Sequence, residues 1–118
     1  MSNFDASQLS YFTGTTAYYR IGKRHLLTDG TKYVAEAAGA FWLMDAAASH
    51  LDEIGTADWF VLIKIQVKDS RAVMLYEDGN GKEHARQEIA YTDFPMQHFQ
   101  MYACWDAEHW VLMLPSEY

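Results

Sequence analysis

The chain is poor in the residues that cross-link or interrupt a fold. Its 118 residues include one cysteine and two prolines, so Cys104 has no partner within the chain and no internal disulfide can form. We therefore expect a reducing, cytoplasmic setting. No linker rich in proline, glycine or serine divides the chain, and its length suits one hydrophobic core. We expect a single domain over residues 1–118.

Long apolar runs are also missing. The longest, residues 37–44, is far shorter than the roughly 20 residues that a membrane-spanning helix requires. Residues 1–17 contain no basic segment followed by a continuous apolar stretch, so they do not resemble a standard secretion signal. We expect neither membrane insertion nor secretion.

Positive charge is scarce and unevenly placed. Lysine and arginine number 9 against 16 acidic residues, which gives a formal net charge of -7. A protein that neutralises phosphates needs the opposite sign, so direct binding of nucleic acid is not expected. Residues 87–118 contain five carboxylates and no lysine or arginine. This distribution suggests an acidic face that binds a basic protein surface, although ordinary surface charge also explains it.

Apolar periodicity predicts helices first and strands afterwards. Residues 31–38 and 40–54 are rich in alanine and lack strand alternation, which predicts two consecutive helices that meet near Gly39. Residues 17–21 and 25–27 predict an edge strand or a hairpin. Alternation with intervening turns then predicts further strands, over residues 58–68, 71–77, 83–92, 99–105 and 109–114.

The order of these elements predicts an α+β fold. Helices in one block followed by sequential strands favour an antiparallel sheet of four to five strands. We expect these strands to form a meander, in which each strand pairs with the next. The two consecutive helices then pack on one face of the sheet.

No catalytic, cofactor or metal motif stands out. Cys104 lies in an apolar strand without an adjacent base or cation, so it resembles a small core residue. We therefore expect no catalytic residue, no cofactor and no metal ion, and a binding role is favoured over an enzyme. The histidines form no recognised ligand spacing, and their roles stay open: His25, His50, His84, His98 and His109.

Asp45 interrupts the most apolar helical segment, residues 41–48. A carboxylate at such a position either faces water or is buried with a partner that compensates its charge. Asp45, Asp93 or a histidine could supply the functional group of an alternative hypothesis. The chain would then be a small enzyme or ligand-binding domain with a pocket between helices and sheet.

Aromatic residues exceed the needs of one small core, at 15% of the chain. Tryptophan is a favoured anchor of protein interfaces, and two tryptophans fall near predicted strand ends beside acidic residues. The candidate partner-binding residues are Asp52, Glu53, Asp58, Asp106, Glu108, Trp59 and Trp110. A structural homodimer that pairs through its aromatic face is a further alternative.

Five short patterns are spread over nearly the whole chain. They are Leu9 with Phe12 and Gly14, residues 27–30 (LTDG) with Tyr33, residues 40–45 (AFWLMD), residues 91–95 (YTDFP) and residues 112–118 (LMLPSEY). Together they resemble a small bacterial domain family of unknown function carried on plasmids, phages and other mobile elements. The resemblance implies a stand-alone cytoplasmic domain and no particular reaction.

Mobile elements often encode small acidic proteins that block host defence nucleases. The resemblance and the acidic charge therefore lead to one main hypothesis. The chain would be a non-enzymatic module, similar to an anti-CRISPR inhibitor, that binds the basic surface of a host nucleic-acid-handling complex.

Overall fold

The computed structural model describes residues 4–118, which form an α+β fold. A hairpin of β1 (Tyr19–Gly22) and β2 (His25–Leu27) precedes two helices, α1 (Asp29–Ala37) and α2 (Phe41–Ile54). Five strands follow: β3 (Phe60–Lys68), β4 (Arg71–Glu77), β5 (Glu83–Ile89), β6 (His98–Trp105) and β7 (Trp110–Met113). Short 3₁₀ helices lie at Ala6–Tyr11 and Pro115–Glu117. Within residues 4–118, no helix is long and apolar enough to cross a bilayer.

The strands form one mixed sheet in the order β1-β2-β7-β6-β3-β4-β5. β2 and β7 are parallel, and the other neighbours are antiparallel. The predicted antiparallel meander of four to five strands is therefore wrong in strand number, pairing and direction. β6 follows β5 along the chain but pairs with β3, and the β1–β2 hairpin extends the sheet beyond β7. Alternation reveals which residues share a face, but it does not reveal which strands are neighbours.

The segment between β5 and β6 carries the chain past the end of the β3–β4 hairpin. The Thr92 amide donates a hydrogen bond to the Ser70 carbonyl at 2.7 Å, which ties the segment to the β3–β4 turn. Phe94 is buried, and its ring lies 5.5 Å from that of Phe99. Burial of this aromatic ring stabilises the crossing, which places β6 beside β3.

The two helices cover one face of the sheet. Alternate strand residues point toward them, as the two-residue period of a strand requires, and these residues are buried: Val61, Ile63, Ile65, Ala72, Met74, Tyr76, Phe99, Met101 and Ala103. Helix α2 contributes Leu43, Met44, Ala47 and Leu51 to the same core. On the opposite face, the side chains of β3 and β4 are half-buried or exposed.

The start of α1 and the last residues of the chain are joined by one carboxylate. Glu117 accepts hydrogen bonds from the Thr28 hydroxyl at 2.6 Å, the Leu114 amide at 2.9 Å and the Gly30 amide at 3.0 Å. Gly30 lies in the first turn of α1, where amides lack partners within the helix and an anion is favoured. We call these four residues the terminal clamp. Its Thr28–Glu117 bond joins residues 89 positions apart.

The terminal clamp leaves no room for a side chain at residue 30. A Cβ atom added to Gly30 would lie 2.5 Å from Glu117 Oε1 and 2.6 Å from Leu114 Cδ1. We therefore expect Gly30→Ala to lower the free energy of unfolding by about 1–3 kcal/mol, as other overpacking substitutions do. Thermal and urea denaturation measure the loss. Gly14→Ala is the matched control because nothing lies within 4 Å of its added Cβ. An equal loss in both variants would contradict steric exclusion at Gly30.

Asp29, the first residue of α1, is held by hydrogen bonds from the preceding segment. The Thr16 amide and hydroxyl donate to it at 2.8 and 3.0 Å, and the Tyr19 hydroxyl donates at 3.0 Å. The Thr16 amide bond is the main cause that lowers the Asp29 pKa below its ordinary 3.8.

A lowered native pKa means that ionised Asp29 stabilises the fold above pH 3.8, and that this stabilisation is lost as the pH falls through the native pKa. We expect Asp29→Asn to melt below the wild type at neutral pH and the gap in melting temperature to close in acid. Melting curves recorded from neutral pH into acid measure that gap. A gap that stays constant over this range would contradict the ionic contribution.

Candidate protein-binding surface

Seven carboxylates gather at the end of the sheet where β3, β5 and β7 begin. The β6–β7 turn, the β4–β5 turn and the last turn of α2 all lie along this end. β2 pairs with β7 at His25 and Trp110, β3 pairs with β6 at Phe60 and Cys104 and with β4 up to Glu77, and Asp52 of α2 lies 2.9 Å from His25. We call this region the acidic end, and its carboxylates are Asp52, Glu53, Asp58, Asp78, Glu83, Asp106 and Glu108. The five acidic residues predicted to contact a partner all belong to it.

Five cationic side chains lie at the same end: Lys23, Arg24, Lys82, Arg86, whose guanidinium pairs with Glu83, and Arg20, whose guanidinium donates to the Lys23 carbonyl. The Trp110 amide donates to the Arg24 carbonyl at 2.7 Å, which places the β1–β2 turn beside the β6–β7 turn. Seven carboxylates against five cations leave a net negative charge at this end, and its field favours basic ligands.

Two of these carboxylates are paired with histidines. His25 is buried, and its Nε2 lies 2.9 Å from Asp52 Oδ1. His84 Nε2 lies 3.0 Å from Asp58 Oδ2, while Asp58 Oδ1 accepts a bond from the Phe60 amide at 3.2 Å. The sequence offered no signal for either pair, because their members lie 27 and 26 positions apart. The pairs fix the positions of both carboxylates.

Two turn carboxylates are held by backbone amides. Asp78 accepts bonds from the Lys82 and Asn80 amides at 2.8 Å each, and these bonds lower its pKa. Burial acts to raise the pKa of Asp106, but bonds from the His109 amide at 2.6 Å and the Glu108 amide at 2.9 Å outweigh it, and this pKa is also lowered. Both groups are therefore ionised at neutral pH.

Trp59 is the exposed aromatic residue of the acidic end. Its side chain is 57% exposed, although its backbone is fixed, because the Trp105 amide donates to the Trp59 carbonyl at 2.8 Å. Its ring packs edge-on against Phe60 at 5.8 Å. A large aromatic side chain on a fixed backbone, with carboxylates nearby, is typical of an interface anchor.

Further aromatic residues continue from Trp59 onto the sheet face opposite the helices. Phe60 lies 5.0 Å from Tyr102 and 5.7 Å from Tyr118, and the two tyrosine rings are 5.4 Å apart. Sequence reasoning did not connect Tyr102 or Tyr118 with Trp59. The alternation in β6 indicates that Tyr102 lies on the face opposite the core, whereas no sequence pattern indicates that Tyr118 packs on the same face.

Trp110, the other predicted aromatic contact, lies in the core. It is 1% exposed and packs against Trp105 at 5.6 Å. Its position in a short strand beside an acidic turn resembled that of Trp59, but its side chain points toward the helices. The surface that a partner can reach therefore includes Trp59 and not Trp110.

The residues of the alternative hypothesis do not form a pocket between helices and sheet. Asp45 and Asp93 are both exposed. A surface groove lies elsewhere, at the end of β3 and the starts of β4 and β6, and is lined by residues such as Lys68, Arg71 and His98. Within residues 4–118, no three histidine, cysteine or acidic side chains are arranged to hold a metal ion.

His50 lies on the core side of α2. Its ring stacks on that of Tyr76 at 4.7 Å, and its Nδ1 lies 3.0 Å from the Ala46 carbonyl oxygen. Burial raises the pKa of the Tyr76 hydroxyl well above its ordinary value, so this phenol stays neutral. His50 therefore packs at the border of the core, with its ring flat against a buried neutral side chain.

Comparison with known proteins gives a family but no activity. No curated protein and no solved structure matches the chain significantly. A family model described as a family of unknown function, DUF6876, matches residues 4–118. The match covers all of the residues that the structure describes, and the chain therefore belongs to this family.

Proposed function

We propose that the chain is a non-enzymatic protein-binding module whose acidic end docks on a basic protein surface. One observation supports the proposal most directly: the exposed Trp59 lies at the acidic end, next in the chain to Asp58, whose carboxylate is fixed by His84. Trp59 would supply most of the contact energy, and the carboxylates would set orientation and association rate.

The fixed geometry of the acidic end supports a binding role. Asp52, Asp58, Asp78 and Asp106 are held by hydrogen bonds from histidine rings or backbone amides. A partner therefore meets charges that are already in place, and less side-chain entropy is lost on binding. Glu53 and Glu108 are exposed beside them and are free to reorient toward cations.

The class of partner follows from the sign of the charge. A surface built to hold nucleic acid is basic, so the acidic end would compete with nucleic acid for it. Together with the sequence resemblance, this leads us to propose a protein of a mobile element that blocks a host nucleic-acid-handling complex, as an anti-CRISPR inhibitor does. Such a protein would act in the cytoplasm, where that complex lies.

The exposed positions of Asp45 and Asp93 weigh against the enzyme hypothesis. A general acid or base is normally placed in a concave site where its pKa is shifted. Neither side chain is enclosed by the helices and the sheet. The acidic end is therefore the better-supported functional region.

The heparin-retained fraction of a bacterial lysate is the probe that tests this proposal, because it is enriched in nucleic-acid-binding proteins. The immobilised chain should retain a defined protein at low salt and release it at about 1 M salt, where the Debye length falls to about 3 Å. Glu53→Lys/Glu108→Lys and, separately, Trp59→Ala should each reduce capture of that protein at least about tenfold.

Glu36→Lys/Asp45→Lys is the matched control, because it makes the same change in net charge on exposed helix positions outside the acidic end. We expect it to capture the same protein as the wild type. Circular dichroism checks that every variant is folded. Equal losses in the two double variants, or no salt-sensitive capture by the wild type, would refute docking through the acidic end.

A further inference from the structure

The two edges of the sheet differ in how they are protected. Edge strand β1 has four residues and a register irregularity between Arg20 and Gly22. The Arg20 guanidinium also donates to the Gly22 and Lys23 carbonyls, at 3.3 and 2.6 Å. An irregular, short strand with an arginine folded over its turn is a poor template for pairing.

The opposite edge strand, β5, is a better template. It has seven residues and pairs in regular register with β4 from Ala85 to Ile89. Within the part of the chain that the structure describes, no strand pairs with its outer side. Successive residues of an antiparallel strand direct their N–H and C=O groups alternately toward the strand on one side and the strand on the other. Every second residue of β5 therefore directs its backbone donor and acceptor away from β4, toward the outer side.

A second copy of β5 fits this edge in one register better than in its neighbours. Two copies related by a two-fold axis pair antiparallel. Two residues that face each other either both direct their N–H and C=O groups toward the other strand or both direct them away, so one residue must face its own copy across the axis. We describe that residue as lying on the axis. With Arg86 or Glu88 on the axis, like charges face each other, which is destabilising. With Gln87 on the axis, each Arg86 faces a Glu88 of the other copy.

The same register joins the less polar residues on the other face of β5. Ala85 then faces Ile89 of the second copy twice, and both residues are half-buried beside the core. Cross-strand pairs of opposite charge or of apolar residues each contribute roughly 0.2–1 kcal/mol. One register therefore matches both faces of the strand at once.

Gln87 supplies an independent argument for this axis. Its side-chain Oε1 is buried and has no hydrogen-bond partner within the structure. A buried acceptor without a partner is unfavourable. In the two-fold register, Gln87 faces Gln87 of the second copy with Cβ atoms about 4.5–5.5 Å apart. A rotation of each side chain toward the edge would expose Oε1 and let the amide nitrogen of the other copy donate to it.

We propose that the chain forms a two-fold dimer in which the β5 strands pair antiparallel about Gln87, giving one continuous sheet of two subunits. The dimer leaves most of the acidic end of each subunit accessible: Glu83 lies in β5, but Asp52, Trp59 and Asp106 lie on other elements. Each assembly would carry two acidic ends, so binding through them would be bivalent.

Charge reversal on β5 tests the dimer. By sedimentation velocity at increasing concentration, the wild type should approach twice the 13.6 kDa mass of the monomer. Arg86→Glu alone and Glu88→Arg alone should each remain monomeric, because each places like charges opposite each other. A 1:1 mixture of these two variants should dimerise, since both cross-strand pairs become opposite in charge. The double variant Arg86→Glu/Glu88→Arg should also dimerise.

The mixture distinguishes the proposed register from a general effect of changed charge. Neither variant should dimerise alone, and only the proposed register restores both opposite-charge pairs when the two are mixed. Asp45→Arg is a control, since it reverses the charge of an acidic residue as Glu88→Arg does, but at an exposed position on α2 outside β5; it should dimerise like the wild type. A monomeric wild type at sub-millimolar concentration, or a failure of the mixture to dimerise, would overturn the proposal. Capture through the acidic end is measured separately, so the two proposals can fail independently.

Discussion

The hydrogen bonds of Glu117 connect the start of α1 with the last residues of the chain, across 89 positions to Thr28 and 87 positions to Gly30. One carboxylate accepts from the first turn of α1, from the Thr28 hydroxyl and from the amide of Leu114. Next to it, the Leu112 carbonyl accepts from the Thr31 hydroxyl at 2.8 Å. These bonds hold β7 in parallel beside β2 and keep the helix start against the sheet. They add to the three-residue pairing of β2 with β7 and to the bond from the Trp110 amide to the Arg24 carbonyl, which also link the β1–β2 hairpin to the rest of the sheet.

Two segments on which the sequence resemblance rests, residues 27–30 and residues 112–118, meet in this terminal clamp. Their distinctive residues therefore have structural roles: Gly30 makes room for Glu117, and Asp29 holds the segment before β1. We propose contacts with other molecules at two further surfaces, the acidic end and the outer edge of β5. The two adjoin at Glu83, the first residue of β5, and otherwise lie on different elements. The acidic end would therefore contact a partner while the outer edge of β5 pairs two subunits.

The periodicity of apolar residues predicted the helices and strands, but it did not predict which strands pair or which distant residues are in contact. The alanine-rich segments are helices, and the alternating segments are strands, because side-chain periodicity depends on neighbouring residues. The parallel β2–β7 pairing and the insertion of β6 beside β3 depend on burial of residues such as Phe94 and Leu112 against distant partners. The same limit applies to the surface. Charge counting named five of the seven carboxylates that lie at the acidic end, but the His25–Asp52 and His84–Asp58 pairs and the burial of Trp110 arise from tertiary packing.

Amide hydrogen exchange followed by NMR tests the central claim, that the terminal clamp is part of the stable core. If it is, the Gly30 and Leu114 amides should be protected nearly as strongly as those of β3 and β6, and Glu117→Gln should speed exchange at Gly30, Leu114 and β2 while β3 and β6 stay protected. Rapid exchange of Gly30 and Leu114 in the wild type, with β3 and β6 fully protected, would contradict it.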